Sequence, residues 1–438
     1  MLSKKFDEWS RGKDRKPLLI YGARQIGKTY ILLEFAKKHF SNYIYINFEK
    51  DKLVHTDFSE NLDPKEIINK LATRFNQTIN PRTDLLIFDE VQECPRAITS
   101  LKYFCEDMPE LRVMATGSLL GVKLGGVSFP VGKVDTLHMQ PMSYEEFLQA
   151  SGNEMLYEHF QTIPATKKIY AHDQLWDLFK HYLIIGGMPA AVQAFFDNKD
   201  DLLFNRINSA ITVQERILEN YYADIGKHSG KENSMHISRI LQNVPEQLAR
   251  EADESSSKFK FKNVIPGKTK YSQLVSSIDW LEAVGLVHRI QVLHHIDQPL
   301  SAYTKENFFK LYLFDIGMLR ALSGLDPRVI LDFQFGTYKG YYAENFVLQE
   351  LVYASAGREK FYAWNENKAE IEFIRSINGE IIPIEVKSGN KTRGKSLKSY
   401  AGKYKPKYMI ILSGQELKLS QDELLQKYPL YLAAKVPF

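Results

Sequence analysis

Two groups of residues in this sequence have the types and the spacing that chemistry requires. The first is Gly22-Ala23-Arg24-Gln25-Ile26-Gly27-Lys28-Thr29, which has glycine, glycine, lysine and a hydroxyl at the four fixed positions of a phosphate-binding loop. Gly22 and Gly27 let the backbone curl so that the N–H groups between them face phosphate oxygens. Lys28 places a point charge between the β- and γ-phosphates, and Thr29 offers its hydroxyl to Mg²⁺. The second group is Glu370, Glu372, Glu385 and Lys387, arranged around Asn378-Gly379, the strongest short hairpin signal a sequence can carry. The first group asks for a nucleoside triphosphate, the second for a divalent cation.

A phosphate loop works only between a buried strand and a helix, and both are legible. Pro17-Leu18-Leu19-Ile20-Tyr21 is a short apolar run, and Ile31, Leu32, Phe35 and Ala36 repeat at helical spacing between Thr29 and Phe40. Asn42 to Glu49 reads as a second strand and Pro64 to Phe75 as a helix, so the alternation predicts a parallel sheet covered by helices. Leu85-Leu86-Ile87-Phe88-Asp89-Glu90 ends an apolar run in two acids, the pattern of a buried strand that delivers carboxylates to its carboxyl edge. Asp89 is then the Mg²⁺ holder and Glu90 the residue that polarises the attacking water. The same pair also reads as the plain polar end of a core strand. Arg112-Val113-Met114-Ala115 leads into Thr116-Gly117-Ser118, which puts the Thr116 hydroxyl on a neighbouring strand where it can sense the γ-phosphate.

The Asn378-Gly379 turn fixes a register. If Ile377 faces Glu380, then Glu372 faces Glu385 and Glu370 faces Lys387. Directly opposed residues have Cβ atoms roughly 5 Å apart, so two opposed glutamates destabilise a sheet. A divalent cation between them removes that cost. Lys387 points to the same side as Glu385 and is placed to stabilise developing charge, whereas Ile371, Phe373, Ile382, Ile384 and Val386 mark the buried side. A solvated hairpin with a Glu370–Lys387 ion pair is the competing reading. Beyond it, Lys391, Arg393, Lys395, Lys398, Lys403, Lys405 and Lys407 form a basic run without an acid, which suits an approaching phosphodiester, with Tyr400 and Tyr404 as stacking candidates. A solvated face also explains it.

Between the two groups, Ser143 and Glu146 form a capping-box signature that opens a helical region up to about Asp224. Tyr182 to Pro189 contains Gly186-Gly187 before Pro189. Leu274, Val275, Ile278, Leu281 and Val284 recur at helical spacing, Gly285 stops the helix, and Leu286 to Leu293 reads as a strand. Lys258, Lys260, Lys262, Lys268 and Lys270 precede that helix and form either a phosphate-contacting surface or a solvated basic loop.

At 438 residues the chain is too long for one ordinary core, and its 44% apolar and 25% charged composition excludes wholesale disorder. Its net charge of +4 is uninformative. Two cysteines, Cys94 and Cys105, make no disulfide framework and suit a reducing compartment. The basic amino terminus has no apolar core segment, and the longest apolar stretch, Tyr182 to Phe196, is broken by Gly186-Gly187 and Pro189. A cytoplasmic chain without a membrane partner is therefore expected.

The order of phosphate loop, Asp89-Glu90 strand and Thr116-Gly117-Ser118 strand, followed by Gln140-Pro141-Met142-Ser143-Tyr144-Glu145-Glu146-Phe147-Leu148, resembles the prokaryotic AAA-type P-loop ATPases that carry a carboxy-terminal domain of unknown function. The resemblance spans nearly the whole chain. It implies an α/β multidomain fold: a nucleotide core with strand order 5-1-4-3-2 over residues 1–140, a helical lid that includes Gly186-Gly187 over 141–230, a winged-helix region over 231–325, and a restriction-endonuclease-like α/β domain over 326–438. For that last domain it implies an acid on one strand, an acid and a lysine two residues apart on the next, matched by Glu372, Glu385 and Lys387, and an earlier glutamate on a helix, matched by Glu344 between Tyr341 and Tyr353. Glu344, Glu372 and Glu385 are then metal ligands, and the expected cofactors and partners are ATP, Mg²⁺ and DNA. Two departures stand out. Glu372 occupies a place where such enzymes commonly have aspartate, and Gly132-Lys133 stands where similar proteins often have Gly-Arg. No arginine finger is assigned there, so a homo-oligomer is the arrangement in which a neighbouring subunit supplies one.

Overall fold

A computed structural model describes residues 2–118, 129–197, 200–252, 258–332, 338–366, 369–388, 394–419 and 424–437. The chain divides into two compact units, Met1–Met139 and Gln140–Phe438.

The first unit is built on β1 (Leu18–Tyr21), β2 (Tyr43–Asn47), β3 (Leu85–Asp89), β4 (Arg112–Gly117) and β5 (Asp135–His138), which pair in the order β2-β3-β4-β1-β5. All four pairings are parallel, and read from the other edge this is the expected order 5-1-4-3-2. Helices Lys28–His39, Pro64–Phe75 and Pro95–Asp107 make the crossovers. Their starts are written locally: Asp63 accepts the Lys65 N–H at 2.9 Å with Pro64 at the first helical position, and Pro95 opens the third helix in the same way. Every residue of β3 is buried, as expected of a strand covered on both faces. The core on one side is an aromatic cluster in which Phe88 meets Phe48, Phe58 and Phe104 edge-on at centroid distances of 5.5, 5.5 and 6.0 Å. Each such contact is worth about 0.5–1.5 kcal/mol beyond the area buried.

The second unit opens with helices Tyr144–Ala150, Glu154–Thr166, His172–Ile185, Pro189–Phe196, Leu203–His228 and Lys231–Ala252. The capping box is formed at both bonds, Ser143 N–H to Glu146 Oε2 at 3.2 Å and Glu146 N–H to Ser143 Oγ at 3.3 Å. Gly186-Gly187 marks a close approach of backbones. Gly186 has φ +70°, the Gly187 N–H donates to Asp315 Oδ2 at 2.6 Å, and a Cβ at Gly187 would lie 2.1 Å from the Met142 carbonyl oxygen. Asp315 caps helix Ile316–Ser323 through the Met318 N–H at 3.0 Å, and burial pushes its carboxyl up to about 6.

The rest of this unit surrounds a mixed sheet of eight strands in the order β12-β13-β11-β10-β9-β8-β6-β7. Its strands are β6 (Val287–Leu293), β7 (Phe309–Leu313), β8 (Tyr362–Glu366), β9 (Ala369–Ile377), β10 (Glu380–Val386), β11 (Met409–Ser413), β12 (Lys418–Leu419) and β13 (Leu425–Pro429). Helix Val275–Ala283, Gly285 at φ +77° and β6 follow in the order read from sequence. However, β6 does not stand as part of a separate wing. It hydrogen-bonds in parallel to β8 and antiparallel to β7, so the sheet runs across the boundary expected at residue 325. Pairing on both edges satisfies the backbone of β6, whose Val287, Ile290, Val292 and Leu293 are buried.

The hairpin forms as read. Asn378 and Gly379 have φ +50° and +83°, and the pairs run from Glu380–Ile377 to Ile384–Phe373. The expectation of one buried and one open face is corrected, because Glu372 and Glu385 are only 8% and 1% exposed. Helices Tyr338–Ala354 and Lys395–Tyr404 both pack against β10.

Candidate functional sites

The loop after β1 has the shape that its glycines allow. Gly22 sits at φ +149°, and a Cβ there would lie 2.3 Å from the Met139 carbonyl oxygen, so no larger residue fits. Gln25 at φ +63° and Gly27 at φ +90° complete the curl, and helix Lys28–His39 starts directly from it. Lys28 is 5% exposed and donates to the carbonyl oxygens of Ala23 at 2.7 Å and Gly22 at 3.1 Å. Burial lowers its pKa to about 8 against the pull of Glu90 and Asp89. The ammonium is thus held within its own loop by neutral acceptors that a phosphate can replace.

Asp89 is the hub. Its carboxylate, 2% exposed, accepts from the hydroxyls of Thr29 at 3.0 and 3.1 Å and Tyr45 at 2.6 Å, from Asn47 Nδ2 at 3.0 Å, and from the Thr116 hydroxyl. Burial, and then the bond to Asp89, push the Tyr45 phenol up to about 12. A buried carboxylate surrounded by neutral donors, with the Thr29 hydroxyl against it, fits Mg²⁺; Thr29 and Asp89 are the residues that would hold it. Glu90 has the left-handed φ of +51°. Its Oε2 accepts from Gln92 Nε2 at 2.5 Å and the Ser118 hydroxyl at 3.0 Å, while Arg24 Nε donates to Ser118 Oγ at 3.1 Å. The Glu90 N–H reaches Thr116 Oγ1 at 3.4 Å, so Thr116 touches both acids. His138 stacks on Tyr21 at 4.7 Å, and burial followed by the Lys28 charge brings its pKa down to about 4. Lys133, in place of an arginine, pairs with Glu106 at 2.9 Å.

Sequence reading missed Tyr45, Asn47 and Gln92 as site residues. The first two had a signal, since they alternate along β2 and Asn47 lies beside Asp89 in the register. For Gln92 the signal was weaker: it follows Glu90 by two residues in a short turn of helix, Val91–Glu93.

In the second unit the acids and lysines of the second group also meet. Glu385 Oε1 lies 2.8 Å from Lys387 Nζ, and its buried Oε2 has no hydrogen-bond partner among the described residues. Glu372 Oε2 accepts the Val386 N–H at 2.9 Å. Burial pushes the Glu372 carboxyl up to about 8; Lys387 opposes that rise, and Glu344, Glu370 and Glu385 add to it. Burial works against the Lys387 ammonium, but Glu372, Glu385 and Glu344 more than offset it, so its pKa stands above the ordinary value. The expected Glu370–Lys387 pairing does not form. Glu370 is joined instead to Lys310, a lysine 2% exposed that sequence reading passed over, and Lys310 Nζ also lies 3.8 Å from Glu344 Oε2. The Tyr312 hydroxyl donates to that same Glu344 oxygen at 2.9 Å. The cause lies in β9, whose register with β8 shifts between Tyr362–Ile374 and Trp364–Ile371. The three glutamates expected to share one metal are therefore divided, and among the described residues no group of three or more histidine, cysteine, aspartate or glutamate side chains is placed to hold a metal ion.

Of the basic run, Lys391 and Arg393 lie outside the described residues. Lys395, Lys398, Lys403, Lys405 and Lys407 are exposed, with Lys403 on Glu366 and Lys407 3.9 Å from Glu380. Tyr400 is no stacking platform. It is 1% exposed and meets Trp364 edge-on at 5.3 Å, because its place on helix Lys395–Tyr404 faces the sheet. Tyr404, half-buried, packs on Tyr400 at 5.0 Å. Upstream, Lys260, Lys262 and Lys270 are exposed, and Lys268 contacts His236 at 3.3 Å. No helix among the described residues is long and apolar enough to cross a membrane. Cys94 and Cys105 are free thiols.

Comparison with known proteins places these features. Residues 14–148 match the family model of the AAA domain, residues 177–329 a domain of unknown function designated DUF8612, and residues 339–432 a domain of unknown function designated DUF4143. Two uncharacterised proteins of Methanocaldococcus jannaschii are similar to the chain. One is 24% identical over 400 residues, covering 87% of this chain and 77% of the relative. The other is 24% identical over 439 residues, covering 97% and 86%. Among solved structures, the Walker-type ATPase of Pyrococcus abyssi is 15% identical with a TM-score of 0.45 over 73% of this chain and 94% of that one. The first unit thus carries an AAA-type P-loop ATPase domain, and a separate mixed-sheet region follows it.

Proposed function

We propose that the chain is a slow, Mg²⁺-dependent ATPase whose nucleotide state controls a carboxy-terminal module that engages DNA and cleaves it. The observation that carries the ATPase half is the meeting of Thr29 with Asp89 beside the buried Lys28. Lys28 exchanges the Gly22 and Ala23 carbonyls for the β- and γ-phosphates, and Thr29 and Asp89 hold the Mg²⁺, which neutralises charge between those phosphates when bound. Glu90, once free of Gln92 and Ser118, orients the water, and Thr116 reports on the γ-phosphate through its contacts with both acids. Lys133 is already engaged with Glu106, so hydrolysis stays slow until a neighbouring subunit in a homo-oligomer contributes an arginine.

For the second half, Glu372, Glu385 and Lys387 supply two carboxylates and an ammonium, and the exposed lysines from Lys395 to Lys407 supply sequence-independent attraction to a phosphodiester backbone. Glu385 Oε2, buried and without a hydrogen-bond partner among the described residues, favours a bound cation. A second reading rests on Lys310: with Glu344 and Glu370 already engaged by it, the module recognises DNA or another partner without cutting it, and the chain acts as a nucleotide-dependent switch.

Incubation of plasmid with the full chain, ATP and Mg²⁺ or Mn²⁺ decides between them. The nuclease reading expects nicking that Lys387→Ala removes. A wild-type chain inert under every metal and nucleotide condition rejects cleavage and leaves the switch.

A further inference from the structure

We infer that Gln92 is a second acceptor for the attacking water: its side-chain carbonyl takes a hydrogen bond from one water O–H while the Glu90 carboxylate takes the other. The inference rests on the ATPase reading above and names the residue that works beside Glu90. Residues two apart on a helix do not face each other, yet the Gln92 amide lies against the Glu90 carboxylate. The left-handed φ of +51° at Glu90, directly before the short turn Val91–Glu93, bends the chain so that the two side chains meet.

A carboxylate can only accept, so the amide must turn its nitrogen to Glu90. Nε2 donates to Glu90 Oε2 at 2.5 Å and to Ser118 Oγ at 3.4 Å, which occupies both of its hydrogens. Oε1 is left over. Gln92 is 4% exposed, and among the described residues of the first unit Oε1 is the one buried side-chain acceptor without a hydrogen-bond partner. A buried carbonyl oxygen in that state is costly and calls for a donor. The neighbouring donors, the hydroxyls of Thr29, Tyr45 and Thr116 and the Asn47 amide, are on Asp89, so the donor that the reaction brings is the water itself.

Once Glu90 leaves the amide, its carboxylate and Gln92 Oε1 are two acceptors for one water. Together they fix both O–H bonds and leave an oxygen lone pair for the γ-phosphorus. As that oxygen bonds to phosphorus, the bond to the β,γ-bridging oxygen breaks and its electron pair leaves on ADP. One water proton passes to the Glu90 carboxylate, and the other stays on the new phosphate as the donor to Gln92 Oε1.

The test compares the full wild-type chain with Gln92→Met, which keeps the length of the side chain and removes its carbonyl, in the presence of Mg²⁺. Phosphate release gives kcat and KM, and a titration of the same samples gives ATP affinity. A fall in kcat of about tenfold or more is expected, with KM and ATP affinity within about twofold of wild type. A residue that only clasps Glu90 would free that carboxylate when lost, so a kcat near the wild-type value or above it overturns the inference and leaves the ATPase reading standing. Loss of ATP affinity in Gln92→Met overturns it too, because the residue then shapes the nucleotide site rather than placing the water. A wild-type chain that binds ATP and releases no phosphate rejects the ATPase reading, and the inference falls with it.

Discussion

Tyr45 was invisible as a site residue until β2 and β3 were paired, yet it makes the shortest hydrogen bond to Asp89 whose length is ordinary, at 2.6 Å. Removing its hydroxyl leaves the buried carboxylate with Thr29, Asn47 and Thr116 as donors, so Tyr45→Phe is expected to weaken Mg²⁺·ATP binding by a few-fold, the loss of roughly 1 kcal/mol. Gly22→Ala is a harsher change. Its Cβ would collide with the Met139 carbonyl oxygen at 2.3 Å in a backbone conformation that disfavours any side chain, which costs on the order of 1–3 kcal/mol in strain. Nucleotide binding should be lost in a titration of Gly22→Ala, with the helices of the second unit still folded by circular dichroism; tight binding by this variant would show that the loop is not shaped by Gly22. The Gly22 to Thr29 signature was legible because its chemistry is local. Tyr45 and Asn47 were not, because they come from β2 and reach Asp89 only through a strand pairing across 44 and 42 residues.

At the scale of elements, the turn at Asn378-Gly379 specified the register of β9 and β10 without help, since both residues adopt the positive φ that such a turn requires. What lay beyond that hairpin was not legible. The partners of Glu370 and Glu344 come from β7, which was not read as a strand, and β6 was read within a winged-helix region because nothing in its own sequence announces β8 as a neighbour. Helix Tyr338–Ala354 carries another buried acid. Glu350, 1% exposed, accepts the Tyr144 N–H at 2.9 Å, and burial pushes its carboxyl up to about 8. A carboxyl with a folded pKa above its unfolded value of about 4.3 is held protonated by the fold. Its contribution to stability is therefore complete below the unfolded value and is lost as the pH rises through about 8. Glu350→Gln keeps the acceptor without the charge. It should melt with the wild type near about pH 5 and above it near about pH 9; equal melting temperatures at both would place the Glu350 carboxylate in a solvated setting.

For the whole molecule, the account joins two chemistries that differ in how completely each is assembled. The nucleotide site has its hydroxyl and carboxylate in contact and its lysine held by loop carbonyls within one unit, whereas the carboxy-terminal cluster is built from β7, β9, β10 and helix Tyr338–Ala354 and is partly neutralised by its own lysines. That difference explains why the first was written in eight consecutive residues and the second only in fragments. The most direct test is an equilibrium titration of the full chain with ATP, with and without Mg²⁺, for wild type, Lys28→Ala and Asp89→Asn. The account predicts wild-type binding that Mg²⁺ tightens, loss of tight binding in Lys28→Ala, and loss of the Mg²⁺ effect in Asp89→Asn. Unchanged ATP affinity in Lys28→Ala would contradict it.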